Sequence, residues 1–379
     1  MKITVLRFHF VCLLAFVVSP LTAQELTCKL KGKIIDRESK ALILSKFTDD
    51  MRIRSIEIPI NNNSFEYDLK FSETEAYELT FKDEHQKGAW IPITFFPAKG
   101  EVNFTLYPKD RFRENKITGG EDNKMYYEYL DLFYSKFPSS RFQSLNDSIN
   151  LYASNPEKLS FFQSQIKEMI NEARDWQYDY ISANVSIATY FLMQKDFIFW
   201  GEDEYMLNLI KKSYPKYAAK FPEHIYTKNI GEGLNSRDQI KVGGKYLDFT
   251  ADDLKKNPQV FSSLKQDNIV LLDLWATWCG PCIAKTRTML PVYREYKDKG
   301  FDIIGVARES KDTKKMEDRI KKEKWTWLNL VDLDDKYGIW PKYNLSFAGG
   351  GVFLIDRDGS ILAVDPDAEE VRKILEERL

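Results

Sequence analysis

The sequence predicts a multidomain chain with an N-terminal all-β sandwich or barrel, a central helical segment and a C-terminal α/β domain. Three observations predict it. Seven short segments rich in β-branched and aromatic residues, separated by turn clusters, fill residues 25 to about 110. From about 121 to 225 the apolar period lengthens to three to four residues, as helices require. From about 237 onward, apolar strand-like runs alternate with helical stretches. At 379 residues the chain is longer than one typical domain.

The expected boundaries are a signal at 1–23, a β-rich domain at 24–115, a helical segment at 116–235 and the α/β domain at 236–379. In the signal, Lys2 and Arg7 supply positive charge and Phe8 to Val18 an apolar run. Ser19-Pro20 breaks that run, and Ala23 offers a small residue for cleavage. An uncleaved anchor is the alternative, although the run is short against the ~20 residues of a membrane span. Cys28 follows Glu25-Leu26-Thr27, a poor fit to a lipid-attachment site. Export therefore places the mature chain in the periplasm or cell envelope.

The expected strands of the β domain are Leu26–Ile35, Ala41–Phe47, Arg54–Ile60, Ser64–Phe71, Ala76–Lys82, Trp90–Phe96 and Glu101–Tyr107. Turn clusters such as Asn61-Asn62-Asn63 and Pro97-Ala98-Lys99-Gly100 punctuate them. In the helical segment, Tyr126, Tyr129, Leu130 and Phe133 fall on one face, as do Phe162, Ile166, Met169 and Ala173. Such stripes are expected to pack against each other rather than line a ligand groove. His85 and His224 stand alone, which leaves no histidine cluster for a metal site.

In the last domain the expected order begins with a turn and short strands over Gly243 to Phe249, then a strand over Ile269–Leu274 and a helix over about Ile283 to Tyr296. A strand over Phe301–Ala307 and a helix over about Thr313–Lys322 follow. A strand over Gly351–Ile355, an Asp356-Arg357-Asp358-Gly359 turn, a strand over Ser360–Val364 and a helix over Glu369–Leu379 close the chain. A βαβ unit followed by a hairpin and helix is a thioredoxin-type mixed sheet.

Charge excludes one class of function. With 55 Lys and Arg against 57 Asp and Glu, the net charge of −2 offers no basic excess for phosphates, so a nucleic-acid partner is not expected. Hydrophobic residues at 43% and aromatics at 14% can furnish a sizeable core.

Cysteine usage points to chemistry. Of four cysteines, Cys12 lies in the signal and Cys28 sits within a predicted strand, where a small buried hydrophobe is expected. Cys279 and Cys282 form Trp278-Cys279-Gly280-Pro281-Cys282 between a predicted strand and a predicted helix. A helix N-terminus favours a thiolate on the first cysteine, lowering its pKa from ~8.5 towards 7 or below. The second lies one turn on, close enough to close a disulfide. A zinc site would need a second ligand pair, which the sequence does not offer. Trp278 provides a flat aromatic surface beside the thiols for a docking substrate, and neither a cofactor nor a metal is called for.

The segment Asp273-Leu274-Trp275-Ala276-Thr277-Trp278-Cys279-Gly280-Pro281-Cys282 resembles the thioredoxin active-site segment. Lys241-Val242-Gly243-Gly244-Lys245, Asp248-Phe249 and Phe353-Leu354-Ile355-Asp356-Arg357-Asp358-Gly359 resemble the exported TlpA/ResA-like branch of thioredoxin-fold thiol–disulfide oxidoreductases. The likeness covers about the last 140 residues. More loosely, the front half is similar to the β-rich domain and helical segment preceding such modules in Bacteroidetes-type envelope proteins.

The resemblance implies that Cys279 attacks a substrate disulfide and that Cys282 resolves the mixed disulfide. It implies that Asp273, six residues before Cys279, is a buried acid that takes the Cys282 proton. The Gly-Pro dipeptide resembles thioredoxin, at about −270 mV, rather than the oxidant DsbA, at about −120 mV. The implied activity is reduction or isomerisation of protein disulfides in cell redox homeostasis, with electrons from a membrane thiol donor. Apocytochrome c, in c-type cytochrome biogenesis, and mis-oxidised envelope proteins are clients the family offers.

Two departures stand out. Gly350 occupies the place of the family's cis-proline, which implies a looser substrate-docking loop. Lys285 and Arg287 stand where relatives carry Glu and Pro, either favouring the thiolate or simply solvated. Two other functions compete. A thiol peroxidase would use a PxxxTxxC motif, but the proline is missing before Thr277. An envelope binding or scaffold protein with a degenerate redox module is opposed by the intact Cys279, Cys282 and Asp273.

Overall fold

A computed structural model describes residues 25–49, 51, 54–201, 203–345 and 349–379. The signal reading at 1–23 lies outside these residues. The β-rich region holds β1 (Leu26–Ile34), β2 (Ala41–Lys46), β3 (Ile56–Pro59), β4 (Ser64–Phe71), β5 (Tyr77–Phe81), β6 (Ile93–Phe95), β7 (Gly100–Leu106) and β8 (Lys116–Thr118). A short helix, α1 (Lys82–Gln86), follows β5. Two separate four-stranded sheets form, in the orders β4-β1-β7-β8 and β3-β2-β5-β6, so this is a sandwich rather than a barrel. β4 shows why: Phe65, Leu69 and Phe71 point inward while Glu66, Asp68 and Lys70 face solvent, the period-two alternation of a half-buried strand. Both sheets supply the core, Leu30 and Phe104 from one and Leu44 and Phe95 from the other. Cys28 is fully buried in it and unpaired.

The central segment is six helices: α2 (Glu121–Lys136), α3 (Ser139–Leu151), α4 (Pro156–Ala183), α5 (Ile187–Trp200), α6 (Glu204–Lys220) and α7 (Ile225–Gln239). Its aromatic stripes make the core, with Tyr126, Tyr190, Phe191, Tyr217 and Tyr226 all buried. α5 opens with a capping box: the Ser186 hydroxyl accepts from the Thr189 N–H at 3.1 Å, and the Thr189 hydroxyl accepts from the Ser186 N–H at 3.0 Å. His224 is structural. Its Nδ1 caps α7 by accepting from the Tyr226 N–H at 3.1 Å, and its Nε2 lies 2.9 Å from the Thr74 carbonyl.

The C-terminal region contains β9 (Thr250–Asp253), β10 (Pro258–Val260), α8 (Phe261–Lys265), β11 (Ile269–Trp275), α9 (Gly280–Tyr296), β12 (Phe301–Glu309) and α10 (Lys314–Glu323). After them come β13 (Leu328–Leu333), α11 (Ile339–Lys342), β14 (Gly351–Ile355), β15 (Ile361–Val364) and α12 (Ala368–Arg378). The seven strands form one sheet in the order β10-β9-β13-β12-β11-β14-β15. β11, β12 and β13 run parallel, and β14 runs antiparallel to β11. Being central, β11 is buried on both faces, hence its unbroken apolar run with Asp273 as the one ionisable residue.

Two expectations fail here. Residues 243–249 form no strand beyond a single bridge between Lys245 and Ser360, and the strand comes later, as β9. β13, in the interior of the sheet, was not expected. Its buried Asn329 and Asp332 break the apolar pattern. The Asp332 carboxylate is satisfied by the N–H groups of Tyr337, at 2.8 Å, and Ile339, at 3.1 Å, which makes a polar residue tolerable there.

Candidate active site

The C-terminal end of β11 delivers the loop that leads into α9. Cys279 is the N-cap of α9, and Gly280-Pro281 begin the helix, where a missing proline N–H costs no hydrogen bond. The helix therefore starts three residues before the Ile283 expected from apolar spacing. Cys279 and Cys282 form a disulfide, with Cα atoms 5.4 Å apart. The Cys279 Sγ accepts from the Cys282 N–H at 3.3 Å. That sulfur thus occupies the position of a helix-capping acceptor, where N–H groups and the macrodipole stabilise negative charge.

Asp273, on β11, is 2% exposed. Burial pushes its carboxyl up to about 7, against the opposing pull of the Thr286 hydroxyl and the Lys285 charge. The Thr286 Oγ1 is 2.8 Å from Asp273 Oδ2, and Thr286 lies one helical turn beyond Cys282 on the same face of α9. Asp273 and the resolving cysteine are thereby brought to one side of the helix.

The loop before Cys279 is tied to the neighbouring strand. The Glu309 carboxylate accepts from the Thr277 N–H at 2.8 Å and from its hydroxyl at 2.9 Å. Burial also pushes the Glu309 carboxyl up. Parallel pairing explains the meeting: Trp275 is opposite Ala307, so two residues on, Thr277 meets Glu309.

Trp278 is 46% exposed beside the disulfide, whereas Trp275 is fully buried, edge-on to Trp325 with ring centroids 4.9 Å apart. Of these two tryptophans, Trp278 alone is exposed. The glycine-rich turn lies against both Cys279 and the Trp278 ring. A Cβ on Gly349 would lie 2.5 Å from the Cys279 sulfur, and one on Gly350 would lie 1.8 Å from the Leu274 carbonyl oxygen. Gly349 therefore faces the sulfur, and Gly350 abuts the end of β11. The described residues contain no cis peptide bond.

Lys285 and Arg287 point to carboxylates: Lys285 Nζ to Asp365 Oδ1 at 2.5 Å, and Arg287 to Glu323 at 2.6 and 2.7 Å. Among the described residues, no group of three or more His, Cys, Asp and Glu side chains could hold a metal ion. Sequence reasoning singled out Cys279, Cys282, Asp273, Trp278 and Gly350 and missed Thr286, Glu309 and Gly349. An acid just past the C-terminal end of a predicted strand parallel to β11 was the available signal for Glu309.

Residues 242–364 match the AhpC/TSA family, and residues 28–126 match a domain of unknown function, DUF4369. The thiol-disulfide oxidoreductase ResA of Bacillus cereus is 26% identical over 150 residues, covering 38% of this chain and 81% of that protein. The thiol:disulfide interchange protein DsbE of Vibrio cholerae is 24% identical over 151 residues, covering 38% of this chain and 75% of that protein. Among solved structures, the thioredoxin domain of a thiol-disulfide oxidoreductase from Bacteroides vulgatus is 25% identical at a TM-score of 0.33. It covers 37% of this chain and 98% of its own. The C-terminal domain accordingly has a thioredoxin fold and is similar to thiol–disulfide oxidoreductases.

Proposed function

We propose that the protein is an exported thiol–disulfide oxidoreductase that reduces or isomerises protein disulfides through Cys279 and Cys282. The observation that carries this reading is the cysteine pair at disulfide distance on the N-terminus of α9, the helix whose Thr286 bonds a buried Asp273 with its carboxyl near 7. In the reduced enzyme the Cys279 thiolate attacks one sulfur of a substrate disulfide, and the other substrate sulfur leaves as a thiolate. Cys282 then gives its proton to Asp273, and its thiolate attacks the Cys279 sulfur. The second substrate thiolate departs, and two electrons have passed from the enzyme dithiol to the substrate. The Cys279–Cys282 disulfide is recharged by a dithiol donor. The signal-like residues 1–23 support a periplasmic or envelope location, where that donor would be a membrane thiol protein.

Trp278 and Gly349 flank the reacting sulfur and, with the adjoining Gly350, would receive the substrate chain. Reduction of insulin disulfides by the dithiothreitol-recharged protein tests the reading. Turnover in the wild type that vanishes in Cys279→Ser supports it, and equal turnover in both variants refutes it. Cys282→Ser, which cannot resolve the intermediate, should accumulate mixed disulfides with its clients.

A further inference from the structure

We infer that Thr286 is a positioning residue that couples the protonation of Asp273 to the first turn of α9, by turning its single hydroxyl proton between the Asp273 carboxylate and the Cys282 carbonyl. This inference rests on the proton-accepting role proposed above for Asp273. Thr286 is 1% exposed, and its Oγ1 lies 2.8 Å from Asp273 Oδ2 and 2.9 Å from the Cys282 carbonyl oxygen. A hydroxyl carries one proton and two lone pairs, so it can donate to only one of these oxygens at a time.

The two protonation states of Asp273 select different arrangements. When Asp273 is ionised, the hydroxyl donates to the carboxylate. When Asp273 is protonated, the acid proton donates to Oγ1, and the hydroxyl is free to donate to the Cys282 carbonyl. In either state the hydroxyl and Asp273 Oδ2 keep their hydrogen bond, which is what a buried group that must change charge requires. The proton released by Cys282 thus alters a hydrogen bond on the turn that carries both cysteines.

Among the described residues, Thr286 supplies the side-chain hydrogen bond to Asp273. In the row of the sheet that holds Asp273, the flanking strands present Gly305 from β12 and Val352 from β14, neither titratable. From α9, Lys285 contributes charge, but its ammonium is held by the carboxylate and carbonyl of Asp365.

The test is the titration of the Asp273 carboxyl, followed by carbon-13 NMR in the oxidised protein, together with the pH profile of insulin reduction. Thr286→Ala removes the donor to the ionised form, so the carboxyl midpoint should rise by about one pH unit. Reduction at pH 7 should fall about fivefold as the ionised fraction drops. Thr286→Ser should restore both values, and Thr286→Ala should add no further change in an Asp273→Asn background. A midpoint unmoved in Thr286→Ala, or a Ser variant as displaced as the Ala variant, would overturn the inference while leaving Asp273 in its role. A pH profile unchanged by Asp273→Asn would instead remove the proposed role of Asp273, and this inference with it.

Discussion

Glu309 holds Thr277 twice, accepting from its backbone N–H at 2.8 Å and from its hydroxyl at 2.9 Å. The acid is 6% exposed, so both bonds are shielded from water. They fix the loop two residues before the attacking cysteine to the end of a central strand. Glu309→Ala would leave a sheltered N–H and hydroxyl without their acceptor, at a cost of about 1–3 kcal/mol. The expected outcome is a lower Tm and a slower reduction rate. Glu309→Gln, which can still accept through its amide oxygen, should fall between Ala and wild type in both.

Asp273 links stability to pH. Its folded-state pKa, about 7, lies above the ordinary value of 3.8, so between these values the folded protein binds more protons than the unfolded chain. Stability should therefore decline as pH rises from about 4 through about 7, and the cost of the buried charge is complete above that. Asp273→Asn removes the cost and should stabilise the protein at pH 8 by an amount on the order of 3 kcal/mol. Denaturant unfolding of both proteins at pH 4 and pH 8 checks this: the gain should be present at pH 8 and mostly absent at pH 4. The same substitution should slow disulfide reduction at neutral pH, since the proton acceptor is gone.

The sandwich strands were legible because one face of each is buried, which stamps an alternating pattern on segments such as Ser64–Phe71. β11 and the helix after it were legible from an apolar run, a CxxC motif and helical spacing. β13 was not, since its polar Asn329 and Asp332 interrupt the apolar run, and the Asp332 carboxylate is satisfied by the N–H groups of Tyr337 and Ile339, which spacing does not reveal. The same limit applied at the site. Cys279, Cys282 and Asp273 are fixed relative to each other by local sequence distance, whereas Glu309 and Gly349 reach it by strand pairing and by a turn 70 residues after Cys279.

The glycine turn gives a graded test. A methyl group on Gly350 would meet the Leu274 carbonyl oxygen at 1.8 Å, a backbone atom held in the centre of the sheet. On Gly351 it would meet the Leu345 side chain at 3.1 Å, which can shift. Gly350→Ala should therefore destabilise by about 2–4 kcal/mol and Gly351→Ala by less than about 1 kcal/mol, read from denaturant midpoints. Proline at 350 would bring the same Cβ clash.

Gly349→Ala tests access to the sulfur. Its Cβ would stand 2.5 Å from Cys279 Sγ, so the turn must retreat or the sulfur must move. Insulin reduction should drop at least tenfold, a barrier increase of about 1.4 kcal/mol, while small-molecule thiols still reduce the disulfide. Equal losses toward insulin and toward dithiothreitol would assign the effect to the disulfide rather than to substrate approach.

In the proposed function Cys279 and Cys282 form a reducing pair, so their equilibrium potential against a graded dithiothreitol or glutathione buffer is decisive. The fluorescence of Trp278, which stands beside the pair, supplies a readout. A value within a few tens of millivolts of thioredoxin's, about −270 mV, is expected. A value near that of DsbA, about −120 mV, would contradict the account and make the protein an oxidant.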